Sequence, residues 1–204
     1  MSDAPAFARP AATVILASRG RKHGEAGLEV LLCRRTHEAR FMPGVWVFPG
    51  GAVEPGDALD GELDTEQAHR ACVIRELAEE TGIELDRDAE LVPWSRWITP
   101  EPVPVRFDTR FYLALAPAHA KARIDGREIV DSAWISPADA LASSERGELE
   151  LVFPTIKNLE ALAPHATAAE AFDAARRAQV ETILPKVLGS RESHRIVLPG
   201  DPDY

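Results

Sequence analysis

The spacing of hydrophobic and polar residues along the chain predicts strands and helices that alternate within one unit. The first apolar runs, at Ala11–Ser18 and Leu28–Arg34, flank a polar, glycine-containing segment, which is typical of two strands joined by a loop or hairpin. Residues 41–57 mix aromatic and β-branched residues with Gly and Pro, which indicates short strands with tight turns. Further strands are predicted at 90–98, 107–115 and 129–135. We therefore expect an α/β or α+β fold.

The clearest helical pattern lies at residues 65–81, which read TEQAHRACVIRELAEET. Asp64 can cap the start of this helix, and Gly82 stands where a left-handed residue would end it. Shorter helices are predicted at Pro137–Ser143, 155–163 and 168–182. The pattern predicts a flexible lead at 1–10, one domain at 11–150, and a helical extension at 151–204 that packs on the same domain.

Composition and charge narrow the class of protein. The chain has 204 residues, of which 45% are hydrophobic and 27% charged, as expected for a globular domain. A net charge of −10 is unsuited to holding long nucleic acid, which requires a basic surface. The apolar stretch near the start is too short for a signal peptide or membrane span, and the two cysteines, Cys33 and Cys72, are expected to be reduced thiols. We expect a cytoplasmic protein without a membrane partner.

Three glutamates of the predicted helix carry the candidate chemistry. Glu76, Glu79 and Glu80 are spaced i, i+3 and i+4, so their carboxylates share one strip of the helix and repel one another. A hard divalent cation bound through oxygen would relieve that repulsion. Taken alone, such a strip is more often a solvated helix surface. Arg75 lies one turn before Glu79 and can brace its carboxylate, and the paired glycines at 50–51 allow the backbone to approach the helix.

Together these residues resemble the box of the Nudix hydrolase family, G-x5-E-x7-R-E-U-x-E-E-x-G-U, where U is aliphatic. The matching positions are Gly51, Arg75, Glu76, Leu77, Glu79, Glu80, Gly82 and Ile83. The resemblance implies an α/β/α sandwich with a mixed sheet, plus C-terminal helices in this chain. It also implies an enzyme that cleaves phosphoanhydride bonds with Mg²⁺ or Mn²⁺ bound by Glu76, Glu79 and Glu80. Arg75 would orient these ligands.

The chain departs from the family pattern before the helix. Gly51 and Arg75 are separated by 24 positions, where the family has 14. Asp57 stands where the first glutamate of the box is expected and is a further candidate metal ligand, with Glu54 nearby as the alternative. Some branches of the family take the catalytic base from a loop outside the box, and Glu128 is the candidate here.

The segment before the glycines is similar to a signature of the family's coenzyme A diphosphatases, LLTxR[SA]x3Rx3Gx3FPGG. The matches are Leu31, Leu32, Arg35, Arg40, Gly44, Phe48, Pro49, Gly50 and Gly51, with Cys33 and Thr36 replacing other residues. This resemblance implies that Arg35 and Arg40 contact phosphate and that Gly50 and Gly51 line the substrate site. The same segment could equally finish a strand and its turn.

Arg106 and Arg110 are weaker candidates for substrate contact. The leading interpretation is hydrolysis of coenzyme A or acyl-coenzyme A to 3′,5′-ADP and (acyl-)phosphopantetheine. Hydrolysis of another nucleoside diphosphate derivative, such as ADP-ribose or NADH, is the alternative, and a non-catalytic nucleotide-binding module is a third interpretation. The C-terminal extension could pack on the core, cover the substrate or form a homodimer contact.

Overall fold

A computed structural model describes residues 6–22, 25–39, 42–118, 120–124, 126–189 and 194–204. Its strands are β1 Arg9–Lys22, β2 Glu25–Arg35, β3 Trp46–Val47, β4 Gly50–Ala52, β5 Val92–Ile98, β6 Phe107–Leu115, β7 Ile129–Ile135, β8 Thr182–Ile183, β9 Lys186–Gly189 and β10 His194–Val197. Its helices are α1 Glu66–Thr81, α2 Pro137–Glu145, α3 Phe153–Leu162 and α4 Ala168–Arg177, with a short 3₁₀ turn at Pro55–Asp57.

The long strand β1 organises a mixed sheet. One edge of β1 pairs antiparallel with β4 near its beginning and with β2 near its end, while β6 runs parallel along the other edge. The sheet continues outward through β5 to β8 on one side and through β2 to β3 on the other, and β7 also pairs with β2. Because β4 contains the glycine pair, this register fixes the glycine turn beside the start of β1.

Helices cover both faces of the sheet. Alternate residues of β1 point to opposite faces, so Val14 enters the core beneath α1, and Ile15 enters the core beneath α3 and α4. From α1, Leu77 packs into the first core; from α4, Phe172 packs into the second. The predicted α/β/α sandwich with a mixed sheet is therefore confirmed.

Several local features differ from the sequence prediction. The cap of α1 is Thr65, whose hydroxyl accepts a hydrogen bond from the Ala68 N–H at 3.1 Å, rather than Asp64. The extension is helical only as far as Arg177, and then forms β8 and the separate hairpin of β9 and β10. Pro185 cannot continue a helix, and the β-branched residues after it favour strands.

The structure bears on two further expectations. Cys33 and Cys72 are buried and not joined by a disulfide, as predicted for reduced thiols. Among the described residues, no helix has the length and apolar character needed to span a bilayer.

Candidate functional site

The last turns of α1 bring the three glutamates against the glycine turn. The side chain of Glu80 is only 5% exposed, and that of Glu76 is 15% exposed, whereas Glu79 is 60% exposed. One carboxylate oxygen of Glu80 accepts a hydrogen bond from the Gly50 N–H at 3.0 Å. Gly82 then ends the helix with a φ of 65°, the left-handed conformation predicted for it. The glutamates thus line a partly buried surface beside β4.

A Cβ on either glycine of the turn would overlap a neighbour, which is the flexible end of Glu76 at Gly51 and the backbone of β1 at Gly50. A Cβ on Gly51 would lie 2.6 Å from the Cδ of Glu76, closer than side chains pack. At Gly50 the φ is 154°, and a Cβ would lie 2.6 Å from the Cα of Thr13. The missing side chains let the backbone touch both the helix and β1, which is the close approach that the sequence predicted.

Arg75 connects the acidic groups. Its Nε and Nη2 donate to the two oxygens of Asp57 at 3.0 and 2.9 Å, and its Nη1 donates to Glu76 at 2.9 Å and Glu79 at 3.0 Å. The brace between Arg75 and Glu79 is present as predicted. A planar guanidinium suits this arrangement because it can donate to several carboxylates at fixed angles.

Asp57 anchors Arg75 from the 3₁₀ turn before α1. Its carboxylate is 4% exposed and also accepts a hydrogen bond from the Glu54 N–H at 2.8 Å. Because both of its oxygens are occupied by these donors, the prediction of Asp57 as a metal ligand finds no support in this arrangement. Glu54 itself is exposed and contributes through its backbone.

The pKa values of these carboxyl groups shift in opposite directions, although burial acts to raise all of them. Desolvation alone would raise the pKa of Asp57, but the hydrogen bonds from Arg75 and from the Glu54 backbone outweigh it and lower the pKa. Burial raises the pKa of Glu80 to about 8, against the hydrogen bond from Gly50, and repulsion by Glu76 adds to the rise. Burial likewise raises the pKa of Glu76, in spite of Arg75.

The donor set fits a divalent cation, although its members do not converge. In the described part of the chain, no three His, Cys, Asp or Glu side chains surround a common point. Arg75 holds Glu76 and Glu79, and Gly50 holds Glu80, so the ligands would have to turn towards a metal. Burial and mutual repulsion oppose the ionisation of these carboxyl groups. A hard cation bound to their oxygens would stabilise the ionised form.

Glu128, the candidate base, is close enough to this site to act on it electrostatically. Its negative charge contributes to the raised pKa of both Glu76 and Glu80. It precedes β7, whose first residue, Ile129, is fully buried. The tertiary fold therefore brings it near residues some 50 positions earlier in the chain.

Arg35, one of the candidate phosphate contacts, lies close enough to Glu80 to act on it electrostatically. It lines a small cavity of about 170 Å³ together with Gly50, and its positive charge opposes the raised pKa of Glu80. Its Nε is buried without a hydrogen-bond partner in the described residues, which is costly unless a ligand or water accepts from it. Arg40 lies outside the residues that the structure describes.

The two other candidate arginines have different partners. Arg106 is buried and donates to the backbone carbonyls of Thr99 at 2.9 Å and Ala6 at 2.7 Å, so its guanidinium braces loops. Arg110 pairs with Asp64 and Glu66 at the start of α1. With a rise of 1.5 Å per residue, the start of α1 is about 15 Å from Glu76 along the helix axis. The predicted substrate contacts of Arg106 and Arg110 find no support in this geometry.

The small cavity also contains residues that sequence reasoning missed. Thr13 of β1 and Met42 line it with Arg35 and Gly50. Met42 has a φ of 50°, a left-handed conformation that is uncommon for a residue other than glycine. No local sequence pattern marks these residues as part of a site, because they come from segments that are distant in the chain. The one signal that could have identified Met42 is its position within the stretch before the glycines.

Comparisons of this chain with known proteins all point to one family. The family model described as NUDIX domain matches residues 8–155. A Caenorhabditis elegans protein named as a nudix hydrolase is 27% identical over 188 residues, and the alignment covers 76% of this chain and 60% of that protein. The acyl-coenzyme A diphosphatase NUDT19 of Gallus gallus is 26% identical, with 96% of this chain and 81% of that protein covered.

A solved structure agrees with the fold. The crystal structure of a NUDIX hydrolase from Alicyclobacillus acidocaldarius has a TM-score of 0.71 and 29% sequence identity, and covers 82% of this chain and 96% of that chain. The similarity thus extends over most of both chains.

Proposed function

Because the chain belongs to the Nudix family, we propose that it is a divalent-metal-dependent hydrolase that cleaves a phosphoanhydride bond. We further propose that its substrate is coenzyme A or an acyl-coenzyme A, cut to 3′,5′-ADP and (acyl-)phosphopantetheine. The observation that carries the hydrolase proposal is the packing of Glu76 and Glu80 against the glycine turn, with Arg75 joined to Asp57, Glu76 and Glu79.

Glu76, Glu79 and Glu80 are the residues that would hold Mg²⁺ or Mn²⁺. A bound divalent metal supplies charge neutralisation for the phosphate oxygens and an activated water. Arg75 orients the glutamates, because it is itself fixed by the buried carboxylate of Asp57. We therefore assign Asp57 as the residue that anchors Arg75, and not as a metal ligand.

The proposal puts the phosphate groups of the substrate next to Arg35. Arg35 and the adjacent Gly50 line one cavity, so a phosphate oxygen there would gain a charge-assisted hydrogen bond from the guanidinium. Glu128 is proposed as the base that accepts the proton of the attacking water, since it acts electrostatically on the same glutamates.

Two observations favour coenzyme A among nucleoside diphosphate derivatives. Residues 31–51 match the coenzyme A diphosphatase signature, and the similar protein from Gallus gallus is named as an acyl-coenzyme A diphosphatase. The structure gives a reason for one signature glycine: Gly44 has a φ of 75°, and a Cβ on it would lie 2.6 Å from the Nδ1 of His37. ADP-ribose and NADH are the alternative substrates, and a non-catalytic module is disfavoured by the intact glutamates.

A substrate panel tests the proposal. Coenzyme A, acyl-coenzyme A, ADP-ribose and NADH would each be incubated with Mg²⁺ and with Mn²⁺, and the products separated by chromatography. We expect 3′,5′-ADP from the coenzyme A compounds and its loss in Glu79→Gln. Dominant release of AMP from ADP-ribose or NADH would keep the hydrolase and overturn the coenzyme specificity; no hydrolysis at all would overturn both.

A pair of neighbouring arginines provides a matched control. Arg35→Ala should raise KM for the substrate by roughly 10- to 100-fold, because a charge-assisted hydrogen bond contributes about 1.5–3 kcal/mol. Arg34 also has a buried Nε without an acceptor among the described residues, but it is not among the residues that line the cavity of Arg35. Arg34→Ala should change KM little, since Arg34 lies over the Trp46 ring and 3.7 Å from Asp131. Equal effects of the two substitutions would contradict the role given to Arg35.

A further inference from the structure

A large apolar cavity opens beside the proposed catalytic site. Its volume is about 590 Å³, within the range of about 300–1,000 Å³ that small-molecule pockets occupy. The residues that line it come mainly from β5, β6, the start of α3 and the hairpin of β9 and β10, and include Trp97, Phe111, Phe153, Val187 and Ile196. None of these described lining residues is charged, so the cavity suits an apolar group.

This apolar cavity adjoins the small cavity that contains Arg35 and Gly50. The residues lining both are Met42, Thr99, Thr109, Phe111 and Pro154. Gly50 in turn donates its N–H to Glu80. The apolar cavity therefore lies next to the small cavity that contains Arg35 and Gly50, and Gly50 contacts a glutamate of α1.

The outer wall of the apolar cavity comes from the hairpin of β9 and β10. Val187 and Ile196 are direct cross-strand partners, so their side chains lie on the same face of the hairpin, and both line the cavity. Pro185 and Gly189 complete this wall. The hairpin lies beyond residues 8–155, the part that the family model matches, so the wall is built from a segment that the matched domain does not include.

We propose that the apolar cavity binds the acyl group of the substrate and that the hairpin of β9 and β10 sets which acyl chains are accepted. This inference rests on the proposed function, because it places the diphosphate of an acyl-coenzyme A at α1 and Arg35. The pantetheine arm then spans the near part of the cavity, and the acyl group lies at the far end, against the hairpin. Each methylene that enters the cavity loses contact with water, which lowers KM by up to about fourfold per methylene. The enzyme should therefore prefer medium-length acyl chains to the acetyl group.

The test is a chain-length profile of kcat/KM with acetyl-, butyryl-, octanoyl- and lauroyl-coenzyme A and with unacylated coenzyme A. For the wild type we expect kcat/KM for octanoyl-coenzyme A to exceed that for acetyl-coenzyme A by at least about tenfold. Val187→Phe fills the cavity and should move the preference to shorter chains. Ile196→Ala enlarges it and should move the preference to longer chains.

Arg195→Gln is the matched control, because Arg195 is exposed and lies on the opposite face of the same hairpin. It should keep the wild-type profile. Melting temperatures of all four proteins show whether each is folded, and if Val187→Phe does not fold, the opposite shift expected of Ile196→Ala still decides the question.

The outcomes separate the two proposals. If the coenzyme A compounds are cleaved but the profile is flat, or both cavity variants keep the wild-type profile, the acyl site is overturned and the proposed function stands. If no coenzyme A compound is cleaved while ADP-ribose or NADH is, the substrate assignment is overturned and the acyl site with it.

Discussion

Replacing Glu80 with Gln should change how the stability of the metal-free protein depends on pH. Glu80 is 5% exposed, and its folded-state pKa of about 8 lies well above the value of 4.5 for a free glutamate. Between these two values the folded state holds a proton that the unfolded state has lost. The free energy of unfolding therefore falls as pH rises through this window, and levels off above the folded-state pKa.

The magnitude is set by the size of the shift. One pKa unit corresponds to about 1.4 kcal/mol, so a shift of about 3.5 units destabilises the metal-free protein by up to about 5 kcal/mol at alkaline pH. In Glu80→Gln this contribution disappears, while the amide oxygen can still accept the Gly50 N–H. Asp57, whose pKa is lowered, loses its stabilising effect only as pH falls through its own, lower pKa, outside this window.

The assay is urea unfolding at several values between about pH 5 and pH 9 in the presence of a chelator. The free energy of unfolding of the variant is compared with that of the wild type at each pH, because the histidines titrate equally in both proteins. Glu84→Gln, an exposed residue just after α1, is the control and should behave as the wild type does. Adding Mg²⁺ or Mn²⁺ at alkaline pH should stabilise the wild type more than Glu80→Gln. Parallel pH profiles for Glu80→Gln and wild type would refute the reasoning.

Three further outcomes are expected from the packing around the site. Asp57→Asn should lower the free energy of unfolding, measured in urea, by about 2–3 kcal/mol, because it removes a buried, charge-assisted anchor of Arg75. Glu54→Gln should leave the free energy of unfolding nearly unchanged, and equal losses in the two variants would contradict the anchoring role of Asp57. Gly51→Ala should reduce kcat, since its methyl group displaces a carboxylate. Gly56→Ala, with open space around it, should retain kcat, and normal kcat in Gly51→Ala would show the contact to be dispensable. Arg106→Ala should lower the melting temperature, measured calorimetrically, and leave KM unchanged; a raised KM would restore it as a substrate contact.

Local patterns were sufficient to determine much of this protein. The alternation of apolar residues gives β1, β2, β5, β6 and β7, because a strand buried on one or both faces must present side chains with a period of two. The helical spacing of Glu76, Glu79 and Glu80, together with a glycine at each end of the motif, gives α1 and one acidic surface. These are properties of neighbouring residues, so no knowledge of the rest of the chain is needed.

Contacts between distant segments were decided only by the tertiary structure. Asp57 was placed by sequence among the metal ligands, but the inserted stretch folds so that its buried carboxylate receives Arg75, 18 residues away. Arg106 was predicted to meet substrate, but its partners, Thr99 and Ala6, come from two other loops.

The cavities likewise have no sequence pattern, because they are the space left between β5, β6, the start of α3 and the final hairpin. A chain determines its strands and helices through interactions among neighbours. Which carboxylate meets which arginine, and what volume remains between the elements, depends on how the whole sheet closes around them.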